Sequence, residues 1–405
     1  MQVKTIFILA LFAALVAGCK APQSGYEVTN KLEDPLQDKA VVLTYDEVNQ
    51  YLPGDIGSDY IVVVDADGNN LPSQCDDLNN DGQWDELAFL VDLAGGENKT
   101  VYFDAVPKSE VPDYTKRTNI RFGYKDEPYV EVTDEARLKS TDSPTISEVF
   151  QMEGPAWEND KVGFRNYYDA RNGIDIYGKR TTEMVLDSAG IRGQNYHELD
   201  DWGMDILKVG NSLGAGAIGI RIGDEVSRVG KSEKGTYEFI TEGPVRAMFE
   251  LKYVGVPVGA RTYDITHRIS ICAGDLFYRS KVSVDGLQGD EQLVTGIVNM
   301  HQKESFRMEE GDYRILASHG SQAYQGEKLG MAVLVPRNSF VETWKAPDEG
   351  EGIVETHMVA IDLEVNTPAK YCFLSGWEYQ DEGFKTEDYF REQVVHAAHM
   401  LSNKF

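Results

Sequence analysis

From about residue 125 onward, apolar and polar positions alternate with period two over long segments. In "GPVRAMFELKY", Val245, Ala247, Phe249, Leu251 and Tyr253 share one face. In "TYDITHRISI", Tyr263, Ile265, His267, Ile269 and Ile271 do the same, and "FYRSKVSVDGL" and "EQLVTGIVNMH" continue the series. Successive side chains of a strand point to opposite faces, so this alternation predicts a large antiparallel sheet with one face on a core. The earlier segments are shorter. "SGYEVTNKLEDPLQDKAVVLTYDEV", "YIVVVDADGNNLPSQ" and "ELAFLVDLAGGENKTVYFDAV" read as strands joined by Asp- and Gly-rich turns. The C-terminus has helical spacing instead: Phe390, Val394, Ala397, Ala398 and Leu401 form one stripe, with Glu387 and Asp388 in the first turn.

The pattern therefore predicts a mainly β chain. A small N-terminal β-sandwich is expected over residues 19–124, and a large antiparallel β-supersandwich with a C-terminal helix over 125–405. Residues 1–18 stand apart. "MQVKTIFILALFAALVAGC" has one Lys, an apolar run from Thr5 to Ala17, and small residues before Cys19. That run is too short for a membrane span and reads as a secretory signal. Its ending, "LVAGC", resembles the lipobox of bacterial lipoproteins, so lipidation at Cys19 is expected. The protein is then exported and lipid-anchored, in the periplasm or cell envelope, and meets the membrane only through the anchor.

Charge and cysteine content narrow the function classes. Lys and Arg total 39 against 67 Asp and Glu, a formal net charge of −28. A surface this acidic disfavours nucleic acid as a partner and obliges an anionic ligand to find its own basic pocket. Cys75, Cys272 and Cys372 are too few and too scattered for a disulfide framework or a thiolate zinc site. The chain has no Gly-x-Ser-x-Gly elbow, His-Glu-x-x-His or dinucleotide fingerprint, which sets aside serine hydrolase, zinc protease and dehydrogenase readings.

The densest polar stretch runs from Trp157 to Lys179 and includes Glu158, Asp160, Arg165, Tyr167, Tyr168, Asp169, Arg171, Asn172, Asp175 and Tyr177. Arg suits bidentate recognition of a carboxylate, and aromatic rings beside it suit sugar faces. The competing reading is a salt-bridged, solvated hairpin. A second stretch, "YHELDDWGMDILKVG", holds His197, whose ordinary pKa near 6.5 suits general acid–base work. Asp200, Asp201 and Asp205 are orienting or metal-binding candidates there, Lys208 a candidate cation, and "GNSLGAGAIG" follows where backbone must pass close to something. A purely structural hydrogen bond is the bland alternative for His197. His267 and His301 lie in phase with apolar residues, either as core groups or on a sugar-facing sheet; His319, His357, His396 and His399 rank lower.

"GPAWENDKVGFRNYYDARNGIDIYGKR" (154–180) and "YHELDDWGMDILKVGNSLGAGAIGI" (196–220) resemble domain-of-unknown-function family 4861. These are bacterial lipoproteins associated with polysaccharide breakdown, notably of pectin- and ulvan-like uronic acid polymers. The resemblance implies a β-supersandwich similar to galactose mutarotase, whose concave face binds sugar, and it favours an oligosaccharide containing uronic acid as substrate. Elimination across C4–C5 of a uronate then ranks first among reactions, by a lyase or a dehydratase. His197 would be the base, Tyr168 the acid, and Arg165 the group that neutralises the carboxylate. Arg171, Asn172, Trp157, Lys179, Asp201, Trp202, Lys208, His267 and His301 would contact substrate. Two alternatives stand beside it: glycoside hydrolysis by two carboxylates drawn from Asp169, Asp175, Glu198, Asp200 and Asp201, and a non-catalytic glycan-binding lipoprotein. None of the three requires a cofactor.

"QCDDLNNDGQWDELAF" raises a separate expectation. Asp77, Asn79, Asp81 and Asp85 occupy positions 1, 3, 5 and 9 of a calcium-type loop, with Gly82 at position 6. Position 12 is Ala88 rather than Glu. The loop is expected either to hold a structural Ca2+ or to be a hairpin whose Asx side chains cap their own turn.

Overall fold

The computed structural model describes residues 24–402, apart from 53, 55, 58, 126–129 and 139–149. Cys19 and the signal segment lie outside the described residues. The chain is mainly β, built from several antiparallel sheets with a C-terminal helix, as the alternation predicts.

Two small sheets form the first unit. One runs in the order Tyr26–Thr29, Asn98–Val106, Tyr60–Asp65 and Asn70–Leu71; the other in the order Leu36–Thr44, Glu86–Leu93 and Ser73–Asp76. Val28, Val63, Phe89, Val101 and Phe103 meet between them as one core. The strand Thr118–Arg121 already pairs with Ala156–Asn159, so the larger body begins upstream of residue 125.

That body is organised around a nine-stranded antiparallel sheet. Its middle is Arg246–Val258, Arg261–Cys272, Phe277–Asp285 and Ala369–Trp377. The faces expected for the first two strands are the buried ones: Val245 through Tyr253 and Tyr263 through Ile271 all enter the core on alternate positions. Against this sheet pack a five-stranded sheet containing Glu291–Val298 and Thr356–Asp362, and a second five-stranded sheet of short strands. The rings of Trp157, Phe164, Tyr278 and Phe373 interlock at the join, with centroids 4.8–6.2 Å apart. Contact here is close. A Cβ on Gly178 would come within 2.4 Å of the Trp377 ring, so only glycine fits.

The terminal helix, Glu387–Ser402, buries Phe390, Val394, Ala397 and Ala398 on the large sheet. Met400 rather than Leu401 is the last fully buried position, and it enters the core of the first unit. Lys39 donates to the Met400 carbonyl at 2.5 Å, and Arg246 bonds Asp76 at 2.6 Å and Glu86 at 2.7 Å. The helix end and these ion pairs hold the two units together.

Candidate functional site

The short-stranded sheet runs Gly203–Asp205, Ile174–Lys179, Val162–Asn166, Ala156–Asn159 and Thr118–Arg121. Its register sets Arg165 opposite Asp175 and Tyr177 opposite Asp205. Period-two alternation then sorts the side chains. Ile120, Trp157, Phe164, Ile176 and Met204 face the core, while Glu158, Arg165, Asp175, Tyr177, Lys179 and Asp205 share the other face. The segment from Arg180 to Trp202 covers that polar face, packing Val185, Leu186 and Tyr196 against Ala156 and Tyr177. Charges buried this way persist only when paired.

At one end of the face Lys179 bonds Glu158 at 2.6 Å, and neither is exposed. Glu158 also accepts the backbone N–H groups of Val185 and Leu186, each at 2.8 Å, so this pair pins the cover to the sheet.

At the other end Arg165, fully buried, faces three carboxyl groups. It donates to Glu153 at 3.0 Å, makes a very short contact with Asp175, and lies 3.4 Å from Asp205. A further donor reaches the Met152 carbonyl. Met152 and Glu153 both have positive φ, at 52° and 67°, a costly backbone that aims this carbonyl and carboxylate at the guanidinium. Gly154 follows because a Cβ there would lie 2.2 Å from the Asn166 carbonyl oxygen. The Tyr167 ring sits between two guanidinium groups, 4.1 Å from Arg165 and 4.0 Å from Arg171.

His197 stands at the rim of this cluster. Its side chain is 50% exposed, and its Nδ1 lies 3.4 Å from Oδ2 of Asp205, which is 1% exposed. Burial, then Arg165, lowers its pKa below the ordinary value, so the ring is neutral at pH 7. Burial and then the neighbouring Asp175 push the Asp205 carboxyl well above the usual range, with Arg165 opposing. Asp175 is raised by burial too, again against Arg165. Glu153 is shared with Arg171, which leaves Arg165 as the guanidinium against both Asp175 and Asp205, and one buried guanidinium does not compensate two buried carboxylates, so a proton is retained among these groups. When the shared proton sits on Nδ1 with Asp205 as its acceptor, Nε2 is a free base facing solvent.

Aromatic side chains surround His197. Tyr196 lies 4.4 Å from its ring, centroid to centroid, and Tyr324, half-exposed, lies 6.4 Å away. Trp202 stacks on Tyr177 at 6.2 Å. Burial raises the Tyr196 hydroxyl above its ordinary pKa, with Arg165 opposing, so it stays protonated at neutral pH. Arg171 is the guanidinium of the cluster that reaches the surface, 33% exposed while bonded to Asp169 at 2.5 Å and Glu153 at 3.1 Å.

Several residues expected at the site lie elsewhere. Tyr168 is one position out of phase: its backbone N–H bonds Glu153, and its ring is buried against Phe122 and Phe150, where no substrate oxygen can reach it. Trp157 faces the core and Lys179 is locked to Glu158, so neither reaches the rim at His197. Asn172 is buried, donating to the Val229 carbonyl and accepting from Asn166 and Tyr253. His267 is buried against Ser280 at 2.9 Å, its pKa pushed down to about 3 by burial. Arg165 reaches no solvent, so it cannot receive a substrate carboxylate and instead positions Asp175 and Asp205. Asp201, Lys208 and His301 are exposed, and Trp202 is half-buried. His301 joins the same neighbourhood through Gln322, which accepts its backbone N–H, while Tyr324 two residues on donates to the Ile206 carbonyl.

Glu153, Tyr196 and Tyr324 were missing from the sequence reading. Tyr196 had a signal, its adjacency to His197. Tyr324 is 127 residues from His197 and had none.

The 77–85 loop joins Ser73–Asp76 to Glu86–Leu93 as a hairpin. Asp77 accepts the backbone N–H groups of Asn79, Asp81 and Gly82 at 3.3, 3.2 and 2.7 Å, and Asp85 accepts that of Leu78 at 2.7 Å. Among the described residues, no group of three or more His, Cys, Asp or Glu is arranged to hold a metal ion.

Comparison with known proteins adds three likenesses. The chain is 25% identical over 357 residues to uncharacterized protein P7 of Formosa agariphila, covering 82% of each. An alpha-mannosidase from Enterococcus faecalis V583 superposes with a TM-score of 0.44 at 9% identity, over 91% of this chain and 45% of that one. A protein in glycosyl hydrolase family 38 from Enterococcus faecalis gives 0.43 at 8%, over 91% and 46%. The chain thus spans less than half the length of these two solved proteins. Residues 28–405 match the family described as Domain of unknown function (DUF4861), and the chain belongs to that family.

Proposed function

We propose that the protein is an exported carbohydrate-active enzyme that eliminates across C4–C5 of a uronic acid residue in oligosaccharides. The observation that carries this reading is the half-exposed, neutral His197 backed by buried Asp205 and ringed by aromatic side chains. Elimination needs a base for the C5 proton, a cation for the carboxylate that acidifies it, and an acid for the departing C4 oxygen. His197 Nε2 takes the proton, Arg171 meets the carboxylate, and the Tyr196 hydroxyl protonates the leaving oxygen. The C5–H and C4–O bonds break and a C4–C5 double bond forms. In a lyase the C4 oxygen departs on the released sugar; in a dehydratase it departs as water.

The reaction needs no cofactor, and a calcium ion in the 77–85 loop would serve the hairpin of the first unit rather than the chemistry. Lipidation at Cys19 would hold the enzyme in the periplasm or cell envelope, where oligosaccharides arrive.

The test is incubation with defined uronate oligosaccharides, read by ultraviolet absorbance of the unsaturated product and by mass. Loss of water, or cleavage without its addition, is expected. Addition of water would establish hydrolysis by two carboxylates instead. Binding with no change of mass would establish a glycan-binding protein.

A further inference from the structure

Tyr324 belongs to the loop between the strands Tyr313–Gly320 and Leu329–Pro336. Its ring is 52% exposed, and its centroid lies 6.4 Å from that of His197 with the planes tilted by 45°. An exposed tyrosine means little by itself. What sets Tyr324 apart is how firmly it is held beside His197. It donates its backbone N–H to the carbonyl of Ile206, one residue after Asp205, at 2.8 Å. The side-chain amide of Gln325 donates to the sulfur of Met204, one residue before Asp205, at 3.7 Å. The loop is therefore fastened on both sides of the carboxyl that backs His197. Behind it, fully buried Gln322 accepts the backbone N–H groups of His301 and Gln302 at 3.1 and 2.8 Å. The turn also closes on itself: Gly326 donates to the Ala323 carbonyl at 2.9 Å, and the Gln325 N–H to the Glu327 carboxylate at 3.1 Å.

A ring held this way loses little freedom when a ligand arrives, so its contact yields affinity instead of being spent on ordering a loop. Tyrosine offers a rigid apolar face with a polar tip, which matches the C–H face and hydroxyl rim of a sugar ring. With its centroid 6.4 Å from that of His197, the ring lies beside the imidazole rather than over it. The sugar it meets is then the neighbour of the one that loses its C5 proton. We propose that Tyr324 is a specificity-determining platform: its ring stacks on the sugar unit adjoining the reacting uronate, so the preferred substrate has at least two sugar units. This deepens the elimination reading and rests on it for the reaction at His197, but the stacking contact rests on the loop geometry alone.

Tyr324→Ala removes the apolar face, whereas Tyr324→Phe keeps it and removes only the hydroxyl. With uronate tri- and tetrasaccharides, KM should rise about tenfold or more in Tyr324→Ala, with kcat within about threefold of wild type. Tyr324→Phe should match wild type in both constants. The methyl glycoside of a single 4-O-methyl uronate has no second sugar, so its turnover should be poor and the same in all three proteins. Calorimetry of oligosaccharide binding to His197→Ala, with and without Tyr324→Ala, reads the same contact in the absence of turnover, and an equal weakening is expected. Unchanged KM in Tyr324→Ala would overturn the proposal, as would an equal loss on the single uronate. A fall of kcat in Tyr324→Phe would overturn it too, by making the hydroxyl the catalytic acid. If no uronate yields an unsaturated product, the elimination reading fails by itself. Binding that depends on Tyr324 then leaves the platform standing, and binding that is absent or indifferent to Tyr324 removes it.

Discussion

His197 Nδ1 stands 3.4 Å from Asp205 Oδ2, an exposed imidazole held over a carboxyl sealed from solvent. The strand Gly203–Asp205 fixes the carboxyl by pairing with Ile174–Lys179, and the covering segment fixes the imidazole. A buried acceptor behind one ring nitrogen decides which nitrogen faces substrate. Both groups also carry shifted proton affinities of opposite sign, down for His197 and up for Asp205.

Asp205→Asn keeps the shape and replaces the titrating carboxyl by a neutral amide. We expect kcat to fall about 100-fold or more. The active base is the form that has lost a proton, so kcat/KM of the wild type rises with pH and then levels. In Asp205→Asn the raised carboxyl is gone and His197 titrates alone, held below 6.5 by burial and Arg165. The rising limb should therefore move to lower pH. A limb that stays in place would separate Asp205 from the titrating unit.

Arg165→Ala leaves Asp175 and Asp205 buried beside no cation. Breaking a buried pair by removing one partner costs about 3–5 kcal/mol. Urea denaturation should show that loss at neutral pH, and it should shrink in acid, where protonated carboxyls need no partner. An Arg165→Ala protein as stable as wild type, but inactive, would instead mark Arg165 as a direct substrate contact.

The strands of the large sheet were legible because one of their faces meets a continuous core. Val245 to Tyr253 alternate cleanly and their apolar face is in the core, while Arg246 and Glu250 on the other face are buried too, through ion pairs to Asp76, Glu86 and Arg268. The polar stretch at 157–180 announced a special site by density alone, and density does not say which face a residue takes. Arg165 and Asp175 come together through strand register, and a slip of one position exchanges Tyr167 for Tyr168. Asp205 was among the orienting candidates, but its link to His197 and Arg165 exists only once the sheet has formed. His267 shows the same limit from the other side: in phase with apolar residues, it reads equally as core or as sugar-facing, and burial decides for core.

Tyr196→Phe should lower kcat by about 100- to 10,000-fold while leaving KM nearly unchanged, since the hydroxyl is asked only to protonate the leaving oxygen. Tyr168→Phe should turn over at close to the wild-type rate. The ultraviolet assay compares the two directly. The reverse ranking would return the acid role to Tyr168 and require the 152–154 turn to open.

Cys19→Ser should yield a soluble exported protein, read by fractionation of cells into membrane and soluble pools. A variant that stays with the membranes would point to a retained apolar segment in place of a lipid.

Asp77→Ala separates the two readings of the 77–85 loop. Asp77 accepts three backbone N–H groups, and the Asp81 carboxylate caps the N–H of Gln83 at 2.9 Å, so the turn is held by its own side chains. Asp85 pulls Leu78 inward, and Trp84 anchors the far end by donating to the Asp59 carbonyl at 2.9 Å. Removing the Asp77 acceptors leaves those donors to water at an exposed turn, a loss of about 1–2 kcal/mol. A self-capped hairpin loses that amount equally in millimolar calcium and in chelator, and this is the outcome we expect from thermal unfolding. If calcium raises the wild-type midpoint and Asp77→Ala abolishes the rise, the loop is a structural cation site. Its affinity would then fall in the weak range of about 10⁻⁴–10⁻³ M, because the bidentate ligand at the Ala88 position is missing.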